Sequence, residues 1–331
     1  MAQQRYFVTL FDSNYLTRGL TMYRSLAQHC GEFHLWIICF DNFAYHLLSA
    51  MRLPQVTLVP LATFEDAELL RVKPQRSFAE YCWTSTPSVL LYVLNAAPDV
   101  DAITYLDADL KFYAPLQPIF DEMGTASILL TEHRYPPHTR FDLSATHGRY
   151  NVQFMTFRRN PDGIAALHWW RERCLEWCFN RLEDGKFGDQ KYLDDWPQRF
   201  ANVHCIQHIG AGVAPWNVSQ YRLEVRDETL YVDDMPLIFY HFHHFKLYHT
   251  HLAYCYSVYP LVCEIWERLY LPYIQDMRQA AHDVATVSQS VQVDGAVRRY
   301  DRWPSVLNMF AHPGLWYCLI RDVLEGRYAW I

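Results

Sequence analysis

The amino-terminal part of the chain alternates apolar runs of strand length with amphipathic segments of helical length. The order is strand 6–10, helix 17–29, strand 33–40, helix 45–51 and strand 56–59, which stops at Pro60. Two parallel strands need a long crossover between them, and an amphipathic helix commonly provides it. The alternation therefore predicts an α/β fold built on a mostly parallel sheet flanked by helices.

Strand and helix patterns continue with less regularity beyond residue 60. A helix is expected to begin near Thr86 and Pro87, because proline suits the first helical turn, and to run to Asn95. The other predicted elements are strands 127–131 and 152–157, helix 164–182, a short helix from Gln190, a hairpin of 223–225 with 229–232, and strand 236–242. We predict two units, residues 1–248 and a largely helical carboxy-terminal subdomain at 249–331.

An apolar run at 103–106 ends in two carboxylates, Asp107 and Asp109. Side chains alternate faces along a strand, so these two are expected to point the same way and to meet one hard cation. A second pair, Asp99 and Asp101, follows a proline and precedes the run, which is typical of a solvated turn. Ligands gather beyond the carboxyl ends of strands in open α/β sheets. The sequence thus predicts a metal and diphosphate site at Asp107 and Asp109, near the middle of the sheet.

Composition limits the class of protein. The 331 residues are 51% hydrophobic, which is enough to bury the core of one large domain or two modest ones. The net charge of −7 argues against general nucleic-acid binding, which depends on phosphate neutralisation. Nine cysteines without a Cys-x-x-Cys pair suggest neither a disulfide framework nor a zinc ribbon. Without a signal-peptide pattern or an apolar run of membrane-spanning length, we expect a cytoplasmic protein.

Four polar motifs follow one another in an order that resembles a known family. They are the loop 11–15 after the first strand, Asp107-Ala-Asp109, Gly188-Asp189-Gln190 and the histidine-rich segment 241–246. Together they resemble the metal-dependent glycosyltransferases of the GT-A fold, especially bacterial lipopolysaccharide and O-antigen glycosyltransferases and retaining galactosyl- and glucosyltransferases. The resemblance covers about residues 5 to 250. It implies a Rossmann-like GT-A domain that moves a sugar from a nucleotide diphosphate to a saccharide.

The resemblance also implies a set of roles for individual residues. The donor would be a UDP-sugar, or next a GDP-sugar, and the acceptor a glycan or glycolipid in surface polysaccharide or lipopolysaccharide synthesis. Mn²⁺ or Mg²⁺ would be held by Asp107, Asp109 and His241, with His243 also a candidate ligand. Asp189 and Gln190 would lie beside the reacting sugar. The candidate nucleotide-binding residues are Thr9, Phe11, Asp12, Asn14, Tyr15, Lys73, Asp107, Ala108 and Lys246.

Two of these motifs have structural as well as functional interpretations. Asp12 and Asn14 would hydrogen-bond the base while Tyr15 stacks on it, yet Asp12 and Ser13 equally suit the cap of the following helix. Asp189 equally suits a helix cap. In a retaining enzyme Asp189 would stabilise an oxocarbenium-like transition state, and in an inverting enzyme it would deprotonate the acceptor. Both stereochemical outcomes stay open at this point.

The chain departs from the family pattern at several positions. His244 stands where the family has glycine, and the family's closing Pro-Trp is missing. The helix before Asp107 lacks the family's arginine, for which Lys73 or Arg76 would substitute. Gln153 replaces a glycine that faces the donor sugar, which narrows the space there. Further candidates to line the sugar sites are Glu132, His133, Arg134, Asn151, Gly210, Gly212, Trp216 and Asn217, and the polar loop up to residue 149 would form an acceptor-side lid.

Three other functions fit parts of the pattern. A sugar-nucleotide nucleotidyltransferase is expected to carry a Gly-rich basic loop, which residues 9–15 lack. A metallohydrolase would need further ligands beside the histidines, and a non-catalytic sugar-nucleotide-binding protein would keep the same fold.

Segments 266–273 and 316–328 suit either peripheral docking at the inner face of a membrane or, more commonly, packing on the core.

Overall fold

A computed structural model describes residues 4–137, 139, 142–248, 252–255, 263–288 and 328–330. The strands in chain order are β1 Arg5–Phe11, β2 Phe33–Cys39, β3 Val56–Pro60, β4 Ala102–Leu106, β5 Leu110–Phe112, β6 Ile128–Glu132, β7 Tyr150–Arg158, β8 Val203–Cys205, β9 Leu223–Arg226, β10 Thr229–Val232, β11 Met235–Pro236, β12 Phe239–His241, β13 Phe245–Tyr248, β14 Leu252–Cys255 and β15 Tyr328–Trp330.

The helices are α1 Leu16–His29, α2 Asn42–Met51, α3 Leu61–Phe64, α4 Ala67–Val72, α5 Phe78–Ala96, α6 Gln117–Met123, α7 Ser144–His147, α8 Pro161–Glu176, α9 Trp196–Arg199, α10 Cys263–Ile265 and α11 Leu271–Val287. A π-helical segment, Trp266–Tyr270, joins α10 to α11. Short 3₁₀ turns occur at Ser13–Tyr15, Lys73–Gln75, Lys191–Asp195 and Val218–Gln220. Within the described residues, no helix is both long enough and apolar enough to cross a membrane.

Seven strands form the central sheet, in the order β3-β2-β1-β4-β7-β6-β8. Every neighbouring pair is parallel except the two pairs that involve β7. This mixed, mostly parallel sheet with helices on its faces confirms the predicted α/β class. β4 is the fourth of the seven strands, so the carboxylates that follow it lie at mid-sheet, as predicted.

Local sequence explains where several helices and turns begin. Asp12, Asp41 and Asn160 each accept a backbone hydrogen bond as the N-cap of the following turn or helix. The predicted start of α5 at Thr86 is wrong by eight residues, because Ser77 and Glu80 form a capping box that begins the helix at Phe78. Pro87 then lies buried inside the helix, where it costs one backbone hydrogen bond.

Other predicted boundaries also differ from the structure. The helix predicted at 164–182 is α8 and ends at Glu176, and the predicted strand 236–242 is split into β11 and β12 by Leu237 and Ile238. The short helix expected from Gln190 is a 3₁₀ turn followed by α9. The predicted hairpin is confirmed as β9 paired antiparallel with β10.

The described part of the carboxy-terminal region packs on the rest of the molecule. Asp276 of α11 pairs with Lys111 at 2.5 Å, and Ala280 and Val284 join the hydrophobic core that contains α1. The ring of Tyr273 stacks on Phe242 with centroids 3.6 Å apart. The aromatic residues of 266–273 therefore face the core, whereas 316–327 lie outside the described residues. A separate subdomain at 249–331 stays a prediction.

Candidate metal and nucleotide site

Asp107 and Asp109 lie in a tight turn rather than on a strand. β4 ends at Leu106, and the Leu110 amide donates to the Asp107 carbonyl at 3.3 Å, which closes the turn. The Asp107 amide donates to the Gln153 carbonyl of β7 at 2.9 Å, which anchors the turn to the sheet. The expected strand alternation is therefore wrong. The two carboxylates nevertheless converge, because the turn directs both toward His241.

His241 is brought to the turn by a second, small sheet. β12 pairs antiparallel with β5, which begins directly after Asp109, and His241 lies opposite Leu110. The His241 Nε2 atom lies 3.0 Å from Asp109 Oδ1 and 3.6 Å from Asp107 Oδ2. The side chains of His241, Asp109 and Asp107 are 4%, 10% and 29% exposed. One ligand atom from each of the three lies within 4.8 Å of the others, a spacing that permits a shared metal ion.

The protonation equilibria of the three groups respond strongly to one another. Burial, together with the negative charge of Asp109, raises the pKa of Asp107 to about 6, against the opposing pull of His241. Burial also opposes ionisation of Asp109, but the charge and hydrogen bond of His241 lower its pKa. Burial disfavours the charged imidazole, yet Asp109 and Asp107 raise the pKa of His241. A positive charge is thus favoured between the carboxylates.

The donor set fits a divalent cation of the Mn²⁺ or Mg²⁺ type. Two carboxylates are hard oxygen ligands suited to both ions, and one imidazole nitrogen is better suited to Mn²⁺. The His241 Nδ1 atom is buried and has no hydrogen-bond partner among the residues that the structure describes. Three protein ligands are fewer than these ions take, so oxygens of a diphosphate or of water would complete the coordination.

His243 and His244 follow the cluster in a tight turn. The His243 ring centroid lies 5.4 Å from both the His241 and the Trp216 rings, and the metal-ligand cluster does not include it. His244 has a φ of 57°, the left-handed conformation that favours glycine. The residue that replaces the family's glycine therefore keeps the backbone conformation that glycine would serve. Lys246 is half-buried in β13, and its contact with a diphosphate stays a prediction.

The loop after β1 is organised by two aspartates. Asp12 is buried and accepts from the Asn14 backbone at 3.1 Å and from the Asn14 side-chain nitrogen at 2.6 Å. Asp41 accepts from the Ser13 amide and hydroxyl at 2.8 and 2.7 Å. Burial raises the pKa of Asp12. Asp12 caps the turn Ser13–Tyr15, and Asn14 and Tyr15 are exposed. Contacts of Asp12, Asn14 and Tyr15 with a base stay predictions.

A search of protein-family models finds none that matches the chain. The chain is 37% identical over 244 residues to the uncharacterized protein YfnD of Bacillus subtilis (strain 168). The matched residues cover 73% of this chain and 78% of YfnD. The chain is also 36% identical over 247 residues to YfnF of the same strain, covering 73% and 82%. The chain belongs to the family of YfnD and YfnF.

The fold is the GT-A fold of glycosyltransferases. The crystal structure of the galactosyltransferase LgtC in complex with donor and acceptor sugar analogues matches with a TM-score of 0.50 and 13% identity, covering 83% of this chain and 95% of that chain. The predicted fold class is therefore confirmed. Identity at this level establishes the fold alone, so the chemistry must be argued from the residues of this chain.

Asp189 is buried near the metal-ligand cluster. Burial and the negative charge of Asp107 raise the pKa of Asp189 to about 8, against a hydrogen bond from Thr86. Its carbonyl accepts from the Trp170 indole at 2.9 Å, which fixes the backbone. The Gln190 side-chain nitrogen donates to the His147 carbonyl at 2.7 Å, so this side chain ties the segment to α7. The catalytic roles of Asp189 and Gln190 stay predictions.

The remaining nucleotide-binding candidates occupy different surroundings. Thr9 is buried and its hydroxyl has no hydrogen-bond partner among the described residues, while Phe11 and Ala108 belong to the hydrophobic core. Lys73 forms an ion pair with Glu65 at 2.5 Å and lies over the Tyr81 ring. Arg76 lies 3.9 Å above the Phe179 ring. Contacts of these residues with a nucleotide stay predictions.

A group of buried polar side chains lies beside the metal-ligand cluster. His133 and Asn151 lie 3.0 Å apart through their side-chain nitrogens, and Asn217 donates to the His133 carbonyl at 2.8 Å. Asn151 also accepts from the Gln153 amide at 2.7 Å. The register between β6 and β7 shifts across Gln153, a bulge of the kind often found beside active sites. The side-chain amide of Gln153 is fully buried with no hydrogen-bond partner among the described residues.

Arg18 is a cation near the cluster that the sequence motifs did not indicate. This residue is only 4% exposed, and its guanidinium lies 4.7 Å from the Tyr15 ring centroid. Burial alone would raise the pKa of Asp109; the neighbouring histidines lower it, and the charge of Arg18 adds a smaller lowering effect. One pattern could have identified it: a positive charge in the first turn of a helix opposes the helix dipole and so suggests another purpose.

Proposed function

We propose that this protein is a metal-dependent glycosyltransferase that moves a sugar from a nucleotide diphosphate to a saccharide acceptor. The observation that carries the proposal is the buried cluster of Asp107, Asp109 and His241 at the end of the central strand of a GT-A sheet. A donor bound there would place its diphosphate on the cluster and its base on the loop at Asn14 and Tyr15. The nucleotide we propose is UDP, with GDP as the second candidate.

Residues of this chain would have three roles: holding the metal, stacking on the base and lying beside the sugar. Asp107, Asp109 and His241 would hold Mn²⁺ or Mg²⁺, which when bound would offset the charge that develops on the leaving diphosphate. Tyr15 would stack on the base, because its ring is exposed above the loop. Asp189 would lie on the sugar side, a role supported by its burial and by the effect of the Asp107 charge on its pKa.

Asp189 would carry a proton near neutral pH when no cation is bound, because its pKa is raised to about 8. In this state it donates a hydrogen bond rather than taking a proton. A cation on Asp107 would remove part of the negative charge that raises this pKa, so donor loading would favour the ionised form. Ionised Asp189 suits either stabilisation of an oxocarbenium-like transition state or deprotonation of the acceptor hydroxyl.

The first experiment is a calorimetric titration of UDP, GDP, CDP and dTDP, each with and without Mn²⁺, on the wild-type protein. Asp109→Asn removes one ligand of the cluster, and Asp101→Asn is the matched control at the other end of the same strand. Metal-dependent binding of one nucleotide, lost in Asp109→Asn and kept in Asp101→Asn, supports the proposal and names the donor class. Release of that nucleotide from its sugar conjugate then tests turnover.

The alternatives give different results in the same experiment. A non-catalytic binding protein would bind the nucleotide with metal and release nothing over hours. In the turnover assay, a nucleotidyltransferase supplied with pyrophosphate would convert the sugar nucleotide to a nucleoside triphosphate and a sugar 1-phosphate. A metallohydrolase that cleaves the diphosphate would release a nucleoside monophosphate instead of the nucleoside diphosphate. The acceptor class, a role in surface polysaccharide or lipopolysaccharide synthesis, and action in the cytoplasm or at the inner face of a membrane are parts of the proposal that rest on family resemblance.

A further inference from the structure

Arg18 connects two parts of the site that are far apart in sequence. It lies in the first turn of α1, and one guanidinium nitrogen donates to the Asn14 carbonyl at 3.2 Å. The other terminal nitrogen donates to the Phe245 carbonyl at 3.0 Å, across 227 residues of sequence. One planar group thus joins the loop that would hold the base to the segment that follows the histidines.

The charge of Arg18 lacks an anionic partner within the described part of the chain. Its guanidinium hydrogen-bonds two carbonyl groups and forms no ion pair with a described carboxylate, although the side chain is almost fully buried. Its charge acts on Asp109 from beyond ion-pair distance. A buried cation held only by carbonyls and one aromatic face is unfavourable unless an anion arrives. The direction of the helix dipole adds to the penalty. These conditions describe a site that is complete only with an anionic ligand.

Other basic residues near the site are less suited to this role. Lys73 already has a carboxylate partner in Glu65, and Arg76 lies over the Phe179 ring. Arg18 differs from them because it touches the base-binding loop directly and acts electrostatically on Asp109. It therefore stands between the two places where a nucleoside diphosphate would be held.

We propose that Arg18 is a positioning residue that couples nucleotide binding to metal binding. It fixes the separation between Asn14 and Phe245, and its charge draws a diphosphate into the space between the base-binding loop and the Asp107 and Asp109 turn. Metal and nucleotide would then each bind more tightly in the presence of the other, by the same factor. This inference rests on the proposed function, because it takes a nucleoside diphosphate as the ligand.

The test is a thermodynamic cycle on the full chain with Mn²⁺ and UDP as the probes. Calorimetry gives the Kd of Mn²⁺ alone, of UDP alone and of UDP at saturating Mn²⁺, and the ratio of the two UDP constants is the coupling factor. The variants are Arg18→Met, which removes charge and hydrogen bonds, and Arg18→Lys, which keeps the charge but not the planar fork. Arg24→Met is the control, since Arg24 is on the same helix, half-exposed and paired with Asp283.

We expect Arg18→Met to lower the coupling factor by roughly tenfold or more while the Kd of Mn²⁺ alone changes by less than about threefold. Arg18→Lys should recover part of the coupling, and Arg24→Met should match the wild type. Unchanged coupling in folded Arg18→Met overturns the inference. So does an equal loss of all three affinities without any recovery in Arg18→Lys, which is the result of a purely structural role.

The wild-type protein separates this inference from the proposed function. If wild-type protein shows no metal-dependent binding of UDP, GDP, CDP or dTDP, the proposed function fails and the coupling role fails with it. If wild-type protein shows such binding and Arg18→Met retains it in full, the proposed function stands and only the role of Arg18 is overturned.

Discussion

The two ends of β4 carry the same Asp-x-Asp pattern in opposite surroundings. Asp99 and Asp101 precede the strand, and both are exposed. Asp107 and Asp109 follow the strand and meet His241 in a cluster that is largely removed from solvent. The first pair is a solvated turn, and the second pair is a candidate metal site.

The difference arises from what the fold brings to each end. The two tripeptides, Asp-Val-Asp and Asp-Ala-Asp, differ only in their middle residue. The second pair becomes a site because β12 pairs with β5 and delivers a histidine from more than 130 positions along the chain. Open α/β sheets also favour ligands at the carboxyl ends of strands, where only the second pair lies.

Removing one carboxylate at each end of β4 tests whether the two pairs differ in function. Asp109→Asn should lower the rate of nucleotide release from a sugar nucleotide by roughly 100- to 1000-fold, because the site loses a charged ligand where leaving-group charge develops. Asp101→Asn should keep at least half of the wild-type rate. Initial rates at saturating Mn²⁺ provide the measurement, and equal losses in the two variants would contradict the distinction.

Asp189 extends the comparison to stability. Its pKa is raised to about 8 from an ordinary value of 3.8, so the folded state holds a proton that the unfolded chain releases as pH rises above about 4. Stability is therefore lost as pH increases from about 4 to about 8. Asp189→Asn should remove this loss and raise the free energy of unfolding at pH 8 by about 5 kcal/mol.

Urea denaturation of the metal-free protein at pH 5 and pH 8 measures the effect. Asp99→Asn, at the exposed end of β4, is the control and should leave the pH dependence unchanged. Saturating Mn²⁺ should reduce the difference between wild type and Asp189→Asn, because the cation offsets the charge of Asp107. If Asp189→Asn has the same pH dependence as the wild type, the burial of an isolated carboxyl group is not the cause.

The histidine segment tests which partner makes the second pair a metal site. His241→Ala should weaken Mn²⁺ binding by roughly 10- to 100-fold, because His241 Nε2 lies within 3.6 Å of both carboxylates. His243→Ala should change the Kd of Mn²⁺ by less than about threefold. Calorimetric titration of both variants decides between the two histidines, and a larger loss in His243→Ala would reverse the assignment.

Sequence patterns predicted the framework better than its details. Strands and helices of the first half were predictable because their hydrophobic periods are regular, and the Asp107 and Asp109 pair was predictable because it follows an apolar run. The start of α5 was missed because Pro87 outweighed the capping box at Ser77 and Glu80, although the buried environment tolerates that proline. Local rules fail where tertiary packing decides.

The parts of the site that escaped prediction depend on long-range contacts. The turn at Asp107 is held by a carbonyl of β7, and the contact of Arg18 with Phe245 spans 227 residues. No local pattern contains either interaction. The left-handed backbone of His244 was partly predictable. The family pattern has glycine at this position, and glycine favours that conformation, although the residue here is histidine.

Gln153 offers the smallest and most specific test of how the Asp107 turn is held. Its backbone carbonyl accepts the Asp107 amide at 2.9 Å, whereas its buried side-chain amide has no hydrogen-bond partner among the described residues. Replacing a buried, unsatisfied amide with an apolar group of similar shape is neutral or stabilising. Gln153→Met should therefore raise the free energy of unfolding by up to about 1 kcal/mol and leave the Kd of Mn²⁺ within about twofold.

A loss of Mn²⁺ affinity in Gln153→Met would mean that the side chain, and not the backbone of β7, shapes the turn. The matched control is Gln207→Met, because Gln207 is exposed and its side chain donates to the Cys205 carbonyl at 2.8 Å. Gln153→Met could also leave the Kd of Mn²⁺ unchanged, raise the free energy of unfolding and raise the KM for the sugar nucleotide. That result would mean that the buried amide of Gln153 lowers stability but contributes to donor binding. In that case the backbone of β7 holds the turn in position, and the side chain of Gln153 affects only how the donor fits.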